Sequence, residues 1–219
     1  MGILSDNDKD KIINFATWMR EILIGMQKHA RWGTPNPNHQ PHIKDEVLVE
    51  NILEHTFKGV LITQLLLALE EKHGDINKLN PYALLQCAVN HDFEESENGD
   101  TLRDKKTDDI ERKGDVVHIK IFDNVIPPTI RPSFPLPIDR DTSTSMSQDQ
   151  YDFWEAIECL GYVWFAWEEL RCGRDKLTRV FSNQKGTLCK IGEKFISVRL
   201  VTAILYEAIE EMLPCDQWQ

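Results

Sequence analysis

The chain has 219 residues, with 36 acids against 25 lysines and arginines, for a formal charge of −11. That length suits one domain with a sizeable core, and a hydrophobic share of 41% excludes wholesale disorder. The acidic balance excludes a long nucleic acid as a bulk electrostatic partner, because neutralising phosphates takes a basic face.

Helical periodicity begins at about Ser5 and runs to Lys28. Ser5 with Asp8 resembles an N-cap pair, and Ile12, Ala16, Met19, Leu23 and Met26 form one stripe. Gly33 to Pro41, with Pro35, Pro37 and Pro41, reads as a loop. A second helix is expected from about Lys44 to His73, with Leu48, Ile52, His55, Gly59, Ile62, Leu66 and Leu69 on its stripe and Gly74 as its stop. A third starts near Pro81, a good first-turn residue, and continues through Leu84, Leu85 and Ala88 to His91 and Asp92.

Between Asn98 and Gln148 the periodicity fails. A mixed-charge run leads into Val116 to Phe122, which fits a short strand, and Pro127, Pro128, Pro132, Pro135 and Pro137 then exclude regular structure. So long a connection inside a compact domain marks a functional lid or a mobile excursion. A fourth helix covers about Gln150 to Cys172, and an amphipathic piece from about Glu193 to Met212 packs on the others. No internal repeat or domain boundary interrupts the chain, so residues 1–219 are expected to form a single all-α domain.

No uninterrupted apolar run approaches the roughly 18 residues of a membrane span. The polar, acidic stretch from Met1 to Lys11 lacks the features of a secretory signal. Cys87, Cys159, Cys172, Cys189 and Cys215 are odd in number and form no Cys-x-x-Cys pair, so they read as reduced thiols of a cytoplasmic protein.

Three features carry chemistry. His55 occupies a position in an apolar stripe where Leu or Ile would be expected, and Gly59 one turn later leaves space beside it. By itself it is most simply a core histidine satisfied by a backbone carbonyl. His91-Asp92 ends an apolar helix at a depth where burial is expected. Neighbouring helix residues point about 100° apart, which lets both reach one ion off the helix end. Imidazole nitrogen with carboxylate oxygen suits a divalent first-row metal. Glu158 lies in a run from Phe153 to Trp167 that is apolar nearly all round, so that helix should be central and its carboxylate needs a cation or hydrogen-bond donors. A structural ion pair, for instance with Arg31, is the plainer alternative, and Asp152 and Glu155 compete with Glu158 for the same role. Glu95 lies one turn beyond Asp92, and Asp100 follows a turn at Asn98-Gly99. Acids beside a metal can serve as general acid or base. Most of the ten acids between Asp92 and Asp115 are nonetheless expected to be solvated surface.

The ordered series His55, His91-Asp92, Glu95, Gly99-Asp100 and an acid on a late helix resembles the HD-domain phosphohydrolases, and within them the small 5′-deoxynucleotidase branch. The strings that carry the resemblance are Val49-Glu-Asn-Ile-Leu-Glu-His-Thr, His91-Asp-Phe-Glu-Glu-Ser-Glu-Asn-Gly-Asp, Glu158-Cys-Leu with Glu168-Glu-Leu beyond, and Arg31-Trp32 upstream. The resemblance covers about Arg31 to Cys172, leaving the Pro-rich stretch at about 98–148 as an insertion and 193–212 as a C-terminal packing helix. It implies an all-α HD-domain bundle binding one divalent metal ion (Mn, Co, Fe, Zn or Mg) through His55, His91, Asp92 and Glu158. Glu95 and Asp100 would serve the attacking water and the leaving group, Arg31 the phosphate and Trp32 the sugar. The chain departs from that branch in two places: its last ligand is normally aspartate, and Thr101-Leu-Arg-Asp-Lys-Lys replaces a Pro-containing turn with a lysine.

The expected function is hydrolysis of deoxynucleoside 5′-monophosphates, with a small nucleotide as partner, no membrane, and a homodimer suggested by the apolar C-terminal helix. A deoxynucleoside triphosphate or alarmone hydrolase is the enzymatic alternative, with Arg103, Lys105, Lys106, Arg112 and Lys113 as further phosphate cations. A di-iron oxygenase on the same scaffold would need more histidines than His118 alone. A non-catalytic helical module with a structural metal is the remaining reading.

Overall fold

The computed structural model describes residues 26, 50–93, 95–98, 107, 112–114, 116–117, 119 and 146–218. Its elements are the helices α1 (Ile52–His73), α2 (Pro81–Asn90), α3 (Glu95–Asn98), α4 (Gln148–Arg171), α5 (Arg179–Gly192) and α6 (Ile196–Met212), with short 3₁₀ turns at Ile76–Lys78 and Cys215–Gln217. No strand occurs among the described residues, and the all-α expectation holds.

α1, α2 and α4 start where local chemistry tells them to. α1 begins at Ile52, later than the expected Lys44: Glu50 lies outside the helix, and Asn51 caps it. The Asn51 side chain accepts from the Glu54 backbone N–H at 2.9 Å, and Glu54 accepts from the Asn51 N–H at 3.1 Å. Pro81 occupies the first turn of α2, and Asn80 accepts from the Ala83 N–H at 3.1 Å. Ser147 and Gln150 form a second reciprocal cap at the start of α4.

α4 is the centre of the bundle, as its apolar composition requires. Phe153, Ala156, Ile157, Leu160 and Val163 are fully buried, and α1, α5 and α6 all pack against the helix. α1 is long and apolar enough to cross a membrane by length and composition alone, but it packs against α2, α4 and α6 as a core helix. All five cysteines are free thiols.

Two findings correct or extend the sequence reading. The strand expected at Val116 to Phe122 is not formed at its described positions, because Val116, Val117 and Ile119 are helical. Among the described residues no other strand offers a neighbour for its backbone groups, whereas a helix satisfies them internally. The sequence reading also passed over α5, whose buried face consists of Phe181, Leu188, Ile191 and Gly192. Ser182, Asn183, Gly186 and Thr187 are weak helix formers, so tertiary burial rather than propensity holds it. The expected first helix, the Gly33 to Pro41 loop and the proline cluster fall outside the described residues, apart from Met26, which is helical and 1% exposed.

One buried carboxylate joins the start of α6 to the end of α1. α6 has no side-chain cap of its own. Glu70, 2% exposed near the end of α1, accepts from the Ser197 N–H at 3.0 Å and from the Ser197 hydroxyl at 2.6 Å. Its other oxygen accepts from the Asp75 N–H at 3.2 Å. An anion at a helix N-terminus also meets the positive end of the helix dipole. The arrangement explains Gly74, since a Cβ there would lie 1.9 Å from Glu70 Oε1 and 2.9 Å from Ile196 Cγ2. Glu70→Ala should lower unfolding free energy by about 2–3 kcal/mol, the usual range for losing hydrogen bonds to a charged group. Gly74→Ala should act through the same contact, costing about 1–3 kcal/mol. Urea unfolding of both variants checks this, and combining them should cost much less than the sum.

Candidate metal centre

Three helices deliver His55, His91 and Glu158 to one point, and Asp92, in the turn after α2, lies beside the two histidines. His55 lies in the first turn of α1 and is 4% exposed. His91 is the C-cap residue of α2, and Asp92, also buried, begins the turn that follows. Glu158 projects from the middle of α4 and is half-buried. Ligand atoms of His55, His91 and Glu158 all lie within 4.8 Å of one another. Asp92 Oδ2 is 3.1 Å from His91 Nε2 and 3.8 Å from His55 Nε2, and Glu158 Oε1 is 3.3 Å from His91 Nε2.

The hydrogen bonds behind these atoms orient them. The Ala88 carbonyl can only accept, so at 3.1 Å from His91 Nδ1 it makes that nitrogen the N–H donor. In neutral His91 the lone pair then sits on Nε2, towards the acids. His55 Nε2 is buried and makes no hydrogen bond, so the backbone-satisfied core histidine is not what forms. Its Nδ1 faces Glu50 Oε2 at 3.8 Å. Ring contacts fix both imidazoles: Trp154 meets His91 edge-on at 5.1 Å, and Tyr162 lies nearly parallel to His55 at 6.3 Å. Gly161 leaves His55 room, with its notional Cβ 3.7 Å from Cε1. Among the described residues nothing would touch a Cβ at Gly59, in keeping with the space expected there.

These residues fit a divalent ion. Two carboxylates converge on the same edge of a histidine, leaving excess negative charge in a largely buried place where it is costly without a cation. Two imidazoles with two carboxylates form a mixed nitrogen and oxygen set suited to a first-row metal.

The other expected site residues divide clearly. Glu95 is 3% exposed, at the start of α3, and its backbone N–H donates to the Asp92 carbonyl at 3.1 Å. Of the acids that compete with Glu158, Asp152 is engaged elsewhere: it pairs with Lys194 and accepts from Gln148, and these contacts outweigh its burial and hold its carboxyl below the usual range. Glu155 is not among the residues clustered with the histidines. Arg31, Trp32 and Asp100 lie outside the described residues.

A family model described as 5′-deoxynucleotidase YfbR-like matches residues 22–195. The chain belongs to this family. No curated relative matches it. As a YfbR-like protein it is a 5′-deoxynucleotidase, a metal-dependent phosphomonoester hydrolase. The match runs from before α1 to the junction of α5 and α6, so it takes in all three helices that carry the cluster.

Sequence reasoning missed a charged group behind His55. Glu50 is 3% exposed and pairs with Lys58 at 3.1 Å, and Lys58 in turn pairs with Glu168 of α4. Burial pushes the Glu50 carboxyl up, but His55 and Lys58 together outweigh it and hold the group below the usual carboxylate range. Partial burial pulls the Lys58 ammonium down, and Glu168 and Glu50 more than reverse this. The only signal was a Glu just ahead of the helix cap, which periodicity does not register.

The geometry separates the competing acids by experiment. Glu158→Ala should reduce bound metal measured by elemental analysis after dialysis, whereas Asp152→Ala and Glu155→Ala should keep the wild-type content. Full occupancy in Glu158→Ala would remove it from the ligand set.

Proposed function

We propose that His55, His91, Asp92 and Glu158 hold one divalent metal ion, and that around it the chain hydrolyses deoxynucleoside 5′-monophosphates to deoxynucleoside and phosphate. The observation that carries this is the convergence of three helices on His55 Nε2, a buried nitrogen without a hydrogen bond, beside the His91, Asp92 and Glu158 ligand atoms. The imidazole pair favours manganese, cobalt, iron or zinc over magnesium. A bound ion of this kind lowers the pKa of its water and polarises a phosphoryl oxygen.

The protein's own groups do the rest. Glu95 is held by the turn that carries Asp92, and it accepts a proton from water as the new bond to phosphorus forms. Asp100 gives a proton to the 5′ oxygen as its bond to phosphorus breaks. Arg31 binds the phosphate through its planar fork, and Trp32 lies against the sugar. Such a pocket suits a small phosphate ester, and it reconciles a −11 chain with an anionic substrate, since the ion and Arg31 reverse the potential locally. Free thiols throughout fit a cytoplasmic setting. Exposed Leu200 and Ile204 on α6 support a homodimer.

Asp92→Ala should lose both metal and turnover. Glu95→Ala should keep its metal and lose about 10²–10⁴-fold in kcat, the usual worth of a positioned general base. Wild-type turnover in either variant would refute its assigned role. A panel of deoxynucleoside mono- and triphosphates and alarmones, assayed for phosphate, triphosphate and pyrophosphate, fixes the substrate. Phosphate from monophosphates alone is the expected result.

A further inference from the structure

The two histidines of the cluster set their tautomers by different means. His91 ends a helix, where the last carbonyls lack intrahelical partners, so the Ala88 carbonyl is available to take the Nδ1 proton. His55 lies at the opposite kind of place, the first turn of α1, where the backbone carbonyls are already engaged in helix bonds and the Asn51 carbonyl accepts from its own N–H at 3.0 Å. The group facing Nδ1 is Glu50, a buried acid with no part in the hydrolysis described above.

We propose that Glu50, anchored by Lys58 and through it by Glu168, is a positioning residue that holds His55 with its proton on Nδ1 and its Nε2 lone pair towards the ligand cluster. This rests on the proposed metal site. A carboxylate has only acceptors, so one whose Oε2 lies 3.8 Å from Nδ1 favours the Nδ1–H form electrostatically, and partners of this kind govern how well a histidine serves as a ligand. Glu50 sits ahead of the helix, beside the cap residue Asn51, and its side chain needs an anchor. Lys58, one turn beyond His55 on α1, supplies it at 3.1 Å from Glu50 Oε1. The same ammonium bonds Glu168 of α4 and lies 5.3 Å from the centre of the Phe165 ring. The chain of contacts therefore runs from His55 through Glu50 and Lys58 to the helix that carries Glu158, linking the orientation of one ligand to the placement of another.

The test uses metal-free full-length wild type, Glu50→Ala and Lys58→Met. Each is titrated with manganese chloride by calorimetry, and the imidazole nitrogens are read by long-range ¹⁵N–¹H NMR before metal is added. Glu50→Ala should bind the ion about 10–100-fold more weakly, the usual effect of removing a partner behind a ligand. Its His55 spectrum should lose the Nδ1–H pattern while that of His91 keeps it. Lys58→Met should shift both readings in the same direction by less. Wild-type affinity, or an unchanged His55 spectrum, in Glu50→Ala overturns the proposal. Should Glu50→Ala fail to fold, the same two results in the half-exposed Lys58→Met overturn it. A wild type that takes up no ion overturns the metal site itself, and this inference with it, whereas failure in the variants alone overturns only the role of Glu50.

Discussion

The bundle depends on the burial of α4. A helix apolar on nearly every side is stable in water only when other elements surround it, and α1, α5 and α6 do so. That enclosure brings Glu158 inward with the helix. Once there, the carboxylate needs a partner, and the ends of α1 and α2 provide histidines. The site is therefore a consequence of packing. The central helix carries one acid on the line where three helices meet, and the cluster forms around it.

Among the described residues, buried and half-buried acids differ in what they face. Glu70 is satisfied by the start of α6 and Glu169 by two guanidinium nitrogens of Arg174 at 2.7 and 2.9 Å, while Glu50 forms an ion pair with Lys58 at 3.1 Å. Each has donors or a cation that belong to the fold. Asp92 and Glu158 face His91 Nε2, and the Nδ1 on the far side of that ring faces the Ala88 carbonyl. Carboxylates and an imidazole lone pair converging in a protein interior make a place that a cation would stabilise. The same logic explains how an acidic protein handles a phosphate ester, because the charge that matters is local. The overall −11 is spread mostly over acids that have nothing to do with it.

Much of this was legible in the sequence. The caps at Asn51, Asn80 and Ser147 and the stop at Gly74 are local chemistry, and local chemistry survives in the fold. His55, His91, Asp92 and Glu158 were visible as polar residues at apolar positions, an anomaly that needs no tertiary knowledge to notice. α5 was not legible, because its helical state comes from Phe181 and Leu188 finding the core rather than from the preferences of its own residues. The strand at Val116 to Phe122 was a reasonable inference from β-branched composition, but a strand needs a neighbour, and no single segment reports whether one exists. Glu50 and Lys58 were invisible for a related reason: each looks like an ordinary charge at the edge of a helix until α4 closes over them.

By itself, the sequence determined which residue types could form the site, their order along the chain, the helices that carry them and the family to which they belong. Only the tertiary structure decided which acid of α4 stands beside His91. Helical periodicity gives the angles between Asp152, Glu155 and Glu158 but not the rotation of the helix as a whole. That rotation is set by the side chains of α1, α5 and α6 packed around it. It turns Glu158 to within 3.3 Å of His91 and leaves Asp152 to Lys194.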